Sequence, residues 1–116
     1  MITGLNLDET VDYTLESDKE NPTVWKLGVV PSYLFVKMFS NGSVNDIDTI
    51  FKLLQVSLKG WDNFNIPFRQ EKQTICGREM DVVPLDILER IRITDLTELA
   101  RKVLEVNQIS ENERKN

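Results

Sequence analysis

The period of the apolar residues changes along this 116-residue chain, and that change constrains its fold more than any other feature. Over residues 7–15, Val11, Tyr13 and Leu15 stand on alternate positions, the period of a strand with one buried face. Asp18-Lys19-Glu20-Asn21-Pro22 is a cluster of turn formers. Residues 23–30 are β-branched and aromatic, and read as a second strand. The two are expected to pair as an antiparallel hairpin. From Pro31 the spacing turns helical. Pro31 suits a helix's first turn, where its missing N–H is not needed, and a helix over residues 33–39 follows. Asn41-Gly42 would stop it, since both tolerate a left-handed backbone. Ser43 with Asp46 resembles a capping box. Ile47, Ile50, Phe51, Leu54, Leu58 and Trp61 then recur at helical spacing, which predicts a helix ending near Gly60.

After a connector over residues 64–67, residues 68–75 and 79–83 suggest a second hairpin turned at Cys76-Gly77. Pro84 opens a short helix through Leu85, Leu88 and Ile91. Thr94 would cap another, with Leu96, Leu99, Ala100, Val103 and Leu104 on one face and Asn107 as its stop. Ser110 with Glu113 repeats the capping-box pattern. The expectation is one α+β domain over residues 1–108, an N-terminal antiparallel β-hairpin packed with a mainly helical body and a second short hairpin. A polar tail over residues 109–116 follows, with Ile109 its single apolar residue. Such a length supports a modest core. Cys76 is the sole cysteine, so no intrachain disulfide can form and packing alone must hold the fold, which suits a reducing compartment. No apolar run approaches the roughly 20 residues needed to span a bilayer. The opening Met1-Ile2-Thr3-Gly4 has neither the basic nor the apolar part of a secretory leader. An intracellular protein is expected.

The residues offer little chemistry. There is no histidine, which removes the commonest general base at neutral pH and the commonest metal ligand. A cysteine nucleophile needs a base or a positive field, and Cys76 has only Arg78 nearby in sequence. No glycine-rich phosphate loop is present, and neither Asp46 with Asp48 nor Asp8, Glu9 and Asp12 has calcium-loop spacing. No enzyme, no cofactor and no metal site is therefore expected. The net charge is −5. All of it falls before Trp25, where six acids (Asp8, Glu9, Asp12, Glu16, Asp18, Glu20) face Lys19 alone. An acidic segment beside a neutral body argues against nucleic acid, which needs a basic footprint, and against an anionic membrane surface.

What remains is protein binding. In Leu58-Lys59-Gly60-Trp61-Asp62-Asn63-Phe64, two aromatics follow a helix stop. Trp61 and Phe64 either fold back onto the core or form an aromatic docking site. Leu99 and Val103 on the last helix carry the same two readings, core stripe or partner-facing stripe.

Three stretches together resemble the small tail-assembly chaperone-type proteins of long-tailed bacteriophages and prophages. The first runs from Leu7-Asp8-Glu9-Thr10-Val11 through Ser17-Asp18-Lys19-Glu20-Asn21-Pro22-Thr23-Val24-Trp25. The second is Leu58-Lys59-Gly60-Trp61-Asp62-Asn63-Phe64. The third runs from Leu96-Thr97-Glu98-Leu99-Ala100 to Ser110-Glu111-Asn112-Glu113-Arg114-Lys115-Asn116. The resemblance implies a protein of the bacterial host cytoplasm that binds the tape-measure protein, keeps its apolar helices soluble, recruits tail-tube subunits and leaves before the virion is complete. It brings no catalytic residues. Self-association stays open. The competing readings are a head–tail connector or tail-terminator-like subunit that remains in the particle, or a bacterial protein-binding regulator.

Overall fold

The computed structural model describes residues 1–39 and 46–108. Its elements are β1 (Thr10–Tyr13), β2 (Val24–Gly28), α1 (Ser32–Phe39), α2 (Ile47–Ser57), β3 (Leu58–Asp62), β4 (Glu71–Ile75), β5 (Arg78–Val82), α3 (Leu85–Leu88) and α4 (Ile93–Gln108). This is the α+β arrangement that the change of period implies. β1 and β2 form the expected antiparallel hairpin, with Thr10 opposite Gly28 and Tyr13 opposite Trp25. β1 is shorter than residues 7–15 because the Glu9 N–H bonds back to the Asn6 carbonyl (3.1 Å), a turn that keeps the preceding residues out of the ladder. The Thr23 N–H donates to the Asp18 carboxylate (2.9 Å) and closes the connecting loop, where Asn21 takes φ 49. β4 and β5 form the second hairpin, and Cys76 and Gly77 turn it with φ 51 and 81. Positive φ at both central residues is what a two-residue turn needs to match strand twist.

The helix through Leu58 and Trp61 is a misreading, and its cause is physical. α2 stops at Ser57, and the chain passes directly into β3, which pairs antiparallel with β2. β2 is thereby the centre of a sheet ordered β1-β2-β3. Lys26 lies opposite Gly60 and Leu27 opposite Leu58, so Lys59 is an extra residue, a β-bulge. A regular strand would put Leu58 and Trp61 on opposite faces. The bulge returns Trp61 to the face of Leu58, and a strand then shows a three-residue spacing that imitates a helix.

Two caps also differ. Asp46, expected inside the first turn, is itself the N-cap of α2, and its carboxylate accepts from the Asp48 N–H (2.9 Å). Its extended backbone (φ −82, ψ 122) leaves the side chain facing those N–H groups. Thr94 caps nothing. α4 starts at Ile93, and the Arg92 carbonyl already accepts from Leu96 N–H (2.9 Å). Ser43, the Asn41-Gly42 stop, the Ser110 and Glu113 pattern and the tail over residues 109–116 lie outside the described residues.

α2 is the hub of the core. It packs on α4, α1, α3, β5 and the sheet. Leu53, Leu54 and Val56 of α2 lie buried with Leu27, Leu34, Leu58, Leu88, Leu96 and Leu99. Gln55 is buried too, and acts as a connector: its carbonyl accepts from the Val83 N–H and its side-chain amide donates to the Val83 carbonyl, each at 3.0 Å. Both polar groups of Val83 are satisfied by one residue, so the segment after β5 can sit in the interior. Asn107 does the same at the end of α4. Its amide donates to the Val103 carbonyl (2.8 Å), and its oxygen accepts from the Val30 N–H (2.7 Å). The expected helix stop is thus a clasp between α4 and the β2–α1 junction.

Candidate functional site

The two aromatics singled out in the sequence stand together. The β2–β3 register sets Trp61 opposite Trp25, with ring centroids 5.6 Å apart and edge-on. Phe64 lies 4.9 Å from Trp25 and 5.3 Å from Trp61, and Phe68 lies 4.9 Å from Trp61. The turn that brings Phe64 back has Asn63 at φ 62, its amide donating to the Asn21 carbonyl (2.6 Å). The Trp61 indole N–H donates to the Ile66 carbonyl (2.7 Å). Trp61 and Phe64 are partly buried and packed against the core. Edge-on pairs of this kind add to the burial of each ring, so the cluster seals the outer end of the sheet. Leu99 and Val103 are fully buried. Their side chains are committed to the interior, so neither offers a free contact surface in this fold.

Exposed apolar surface lies elsewhere. A groove of about 330 Å³ opens between α2 and α3. Ile47, Phe51 and Leu85 form its apolar walls, Gln55 lies at its base, and Asp48, Lys52 and Glu89 line its rim. Ile47 and Leu85 remain 49% and 48% exposed, and Phe51 is partly buried, although Ile50, Leu53, Leu54 and Val56 of α2 and Ile87 and Leu88 of α3 are buried. The groove exists because α2 begins one turn before its buried stripe is covered and α3, only four residues long, stops short of covering it. The sequence places Ile47 at helical spacing with Ile50 and Leu54, and Leu85 in a short helix with Leu88. Nothing local marks them as exposed, since the groove needs two helices distant in sequence.

A second concavity, of about 360 Å³, lies between β1 and α4 and is polar. Glu98 organises it, accepting from the Tyr13 hydroxyl (2.5 Å) and from the Glu16 N–H (3.0 Å). Lys102 sits over the Tyr13 ring at 5.6 Å. Burial, the hydrogen bond to Glu98 and the charges of Glu98, Glu16 and Glu105 push the Tyr13 phenol up to about 12. A phenol held neutral as a donor ties β1 to α4 and has no acid–base role near neutral pH. Among the described residues no group of three His, Cys, Asp or Glu side chains is placed to hold a metal ion, and no helix is long and apolar enough to cross a membrane. Comparison with protein families, with curated proteins and with solved structures finds no match to this chain.

Proposed function

We propose that this chain is a tail-assembly chaperone-type protein that holds an apolar, amphipathic helix of a long-tailed phage's tail protein in the groove between α2 and α3. The observation that carries the reading is the groove itself: three apolar walls, two of them about half exposed, inside a rim of mixed charge. A helix with apolar residues at i, i+3 or i+4 and i+7 is the ligand that such grooves take, its apolar face buried and its polar face left in water. The resemblance of three stretches to tail-assembly chaperones supplies the class of client, the apolar helices of the tape-measure protein, and a place of work in the bacterial host cytoplasm. The fold gives those stretches structural roles as β1–β2, β3 with its aromatic turn, and α4, and the client-binding role goes to the groove. No enzymatic step belongs to this reading.

Co-expression with tape-measure segments followed by co-purification tests it. Ile47→Glu and Leu85→Glu alter exposed positions and should leave the fold intact. Each should lower client affinity by about thirtyfold, the equivalent of about 2 kcal/mol for a docking anchor. Unchanged capture by both variants would sink the reading. So would finding the chain in purified virions, which instead fits a connector or terminator subunit.

A further inference from the structure

Lys59 is held differently from the other described lysines. It is the extra residue of the β3 bulge, and its stem is laid across β2 at Gly28. A Cβ on that glycine would stand 2.7 Å from Lys59 Cε and 2.9 Å from its Cγ. Gly28 is buried, and the missing side chain leaves the stem its seat on the backbone. Lys59 as a whole is exposed, so a small reagent can reach its amine.

The amine has no counter-ion: Lys59 makes no ion pair among the described residues. Acids of the neighbouring strands are engaged by other lysines. Lys26 takes Asp12 of β1 at 3.4 Å and Asp62 of β3 at 3.7 Å, and Lys72 takes Asp81 of β5 at 3.3 Å. Lys102 pairs with Glu105, and Lys37 lies over the Tyr33 ring. Each of those contacts favours an ammonium. A stem pressed on backbone without a carboxylate at its end favours the neutral amine instead. We propose that Lys59 is an acylation site, its amine taking an acetyl group from an acyl phosphate. The lone pair of the neutral amine attacks the carbonyl carbon, and the amide C–N bond forms. The C–O bond to phosphorus's oxygen breaks, inorganic phosphate leaves with that electron pair, and the nitrogen gives up one proton to it. The acetylated side chain is neutral, so the sheet loses one positive charge. Burial lowers the Lys59 ammonium from its ordinary 10.5 against the opposing charge of Asp81, in agreement with this chemistry. The site is independent of client binding in the groove.

Acetyl phosphate on the folded full chain tests it, with initial rates at each lysine read by mass spectrometry near neutral pH. Lys19 and Lys52 are the references, since both are exposed and make no ion pair among the described residues. The α-amino group of Met1 is set aside, because such groups lose their proton at lower pH than any ordinary lysine. Lys59 should react at least about threefold faster than either reference, as the rate follows the neutral fraction of each amine. In urea the advantage should vanish. Asp81→Asn should raise the Lys59 rate, and Gly28→Ala, which lifts the stem off β2, should lower it toward the references. Circular dichroism checks both folds, and if Gly28→Ala does not fold, the urea comparison and Asp81→Asn decide. Equal rates at Lys59 and Lys52 in the folded chain, an advantage that persists in urea, or a Lys59 rate that fails to rise in Asp81→Asn would each overturn the inference.

Discussion

Replacing Trp61 by alanine separates a packing role from a docking role at the aromatic cluster. The side chain makes three ring contacts, with Trp25, Phe64 and Phe68, and one N–H bond to the Ile66 carbonyl. Aromatic-to-alanine changes in cores cost about 3–5 kcal/mol. Trp61 keeps part of its surface in water, so the lower end applies, about 3 kcal/mol. Trp61→Phe retains most of the ring packing and removes the N–H, leaving the carbonyl of the buried Ile66 without its donor. That loss is worth about 1–2 kcal/mol. Urea unfolding reads both values. With a slope of roughly 1–3 kcal/mol per molar for a small domain, the alanine midpoint should fall by about 1–3 M and the phenylalanine midpoint by about one to two thirds of that. A fall below about 0.3 M for Trp61→Ala, well inside the expected range of slopes, would refute the packing account and return Trp61 to the list of partner-facing residues.

Asn107→Ala should cost about 2 kcal/mol in a thermal melt, because it strips the acceptor from the buried Val30 and the donor from the Val103 carbonyl; an unchanged melting temperature would mean the clasp is not formed in solution. Tyr13 favours the fold in its neutral form, so its contribution is full below its ordinary value of 10.0 and is lost as pH rises toward about 12. Ultraviolet titration of tyrosinate in a Tyr33→Phe background should place the Tyr13 midpoint near the upper value, and Glu98→Gln should lower it, which an unmoved midpoint would contradict. At Gly28 an added Cβ would stand 2.7 Å from Lys59 Cε, 2.9 Å from its Cγ and 3.3 Å from the Ser57 carbonyl. Gly28→Ala should therefore cost about 1–3 kcal/mol as overpacking, and Lys59→Ala should recover part of it. A double-mutant cycle with no coupling would show that the Lys59 stem does not lie over Gly28.

Legibility followed the range of the interactions. Both hairpins are set by local features, the Asp18–Pro22 turn and the Cys76-Gly77 pair, and both were readable from the residues. The stripe from Ile50 to Leu54 is likewise local, and α2 follows from it. β3 was hidden because its partner β2 lies more than thirty residues earlier, and because the Lys59 bulge gives Leu58 and Trp61 a helical spacing. The roles of Gln55 and Asn107 were equally invisible, since each answers the backbone of a residue far along the chain. At the candidate site, Trp61 and Phe64, three residues apart in the sequence, stand together against the core. The burial of Leu99 and Val103 and the exposure of Ile47 and Leu85 depend instead on which helix covers which.

The two ties that α4 makes to the start of the chain govern when folding can finish. Glu98 meets Tyr13 and Glu16 across 85 and 82 residues, and Asn107 meets Val30 across 77. During synthesis the β1–β2 hairpin emerges early, but its connection to the helical layer waits until Asn107 has left the ribosome. At roughly 5–20 residues per second, that leaves several seconds in which the Val30 N–H has no Asn107 to receive it. Contacts of such long sequence separation slow folding, because the loop must close before the contact rewards it. The same ties bind the first strand and the last helix into one cooperative unit, so opening either end releases the other.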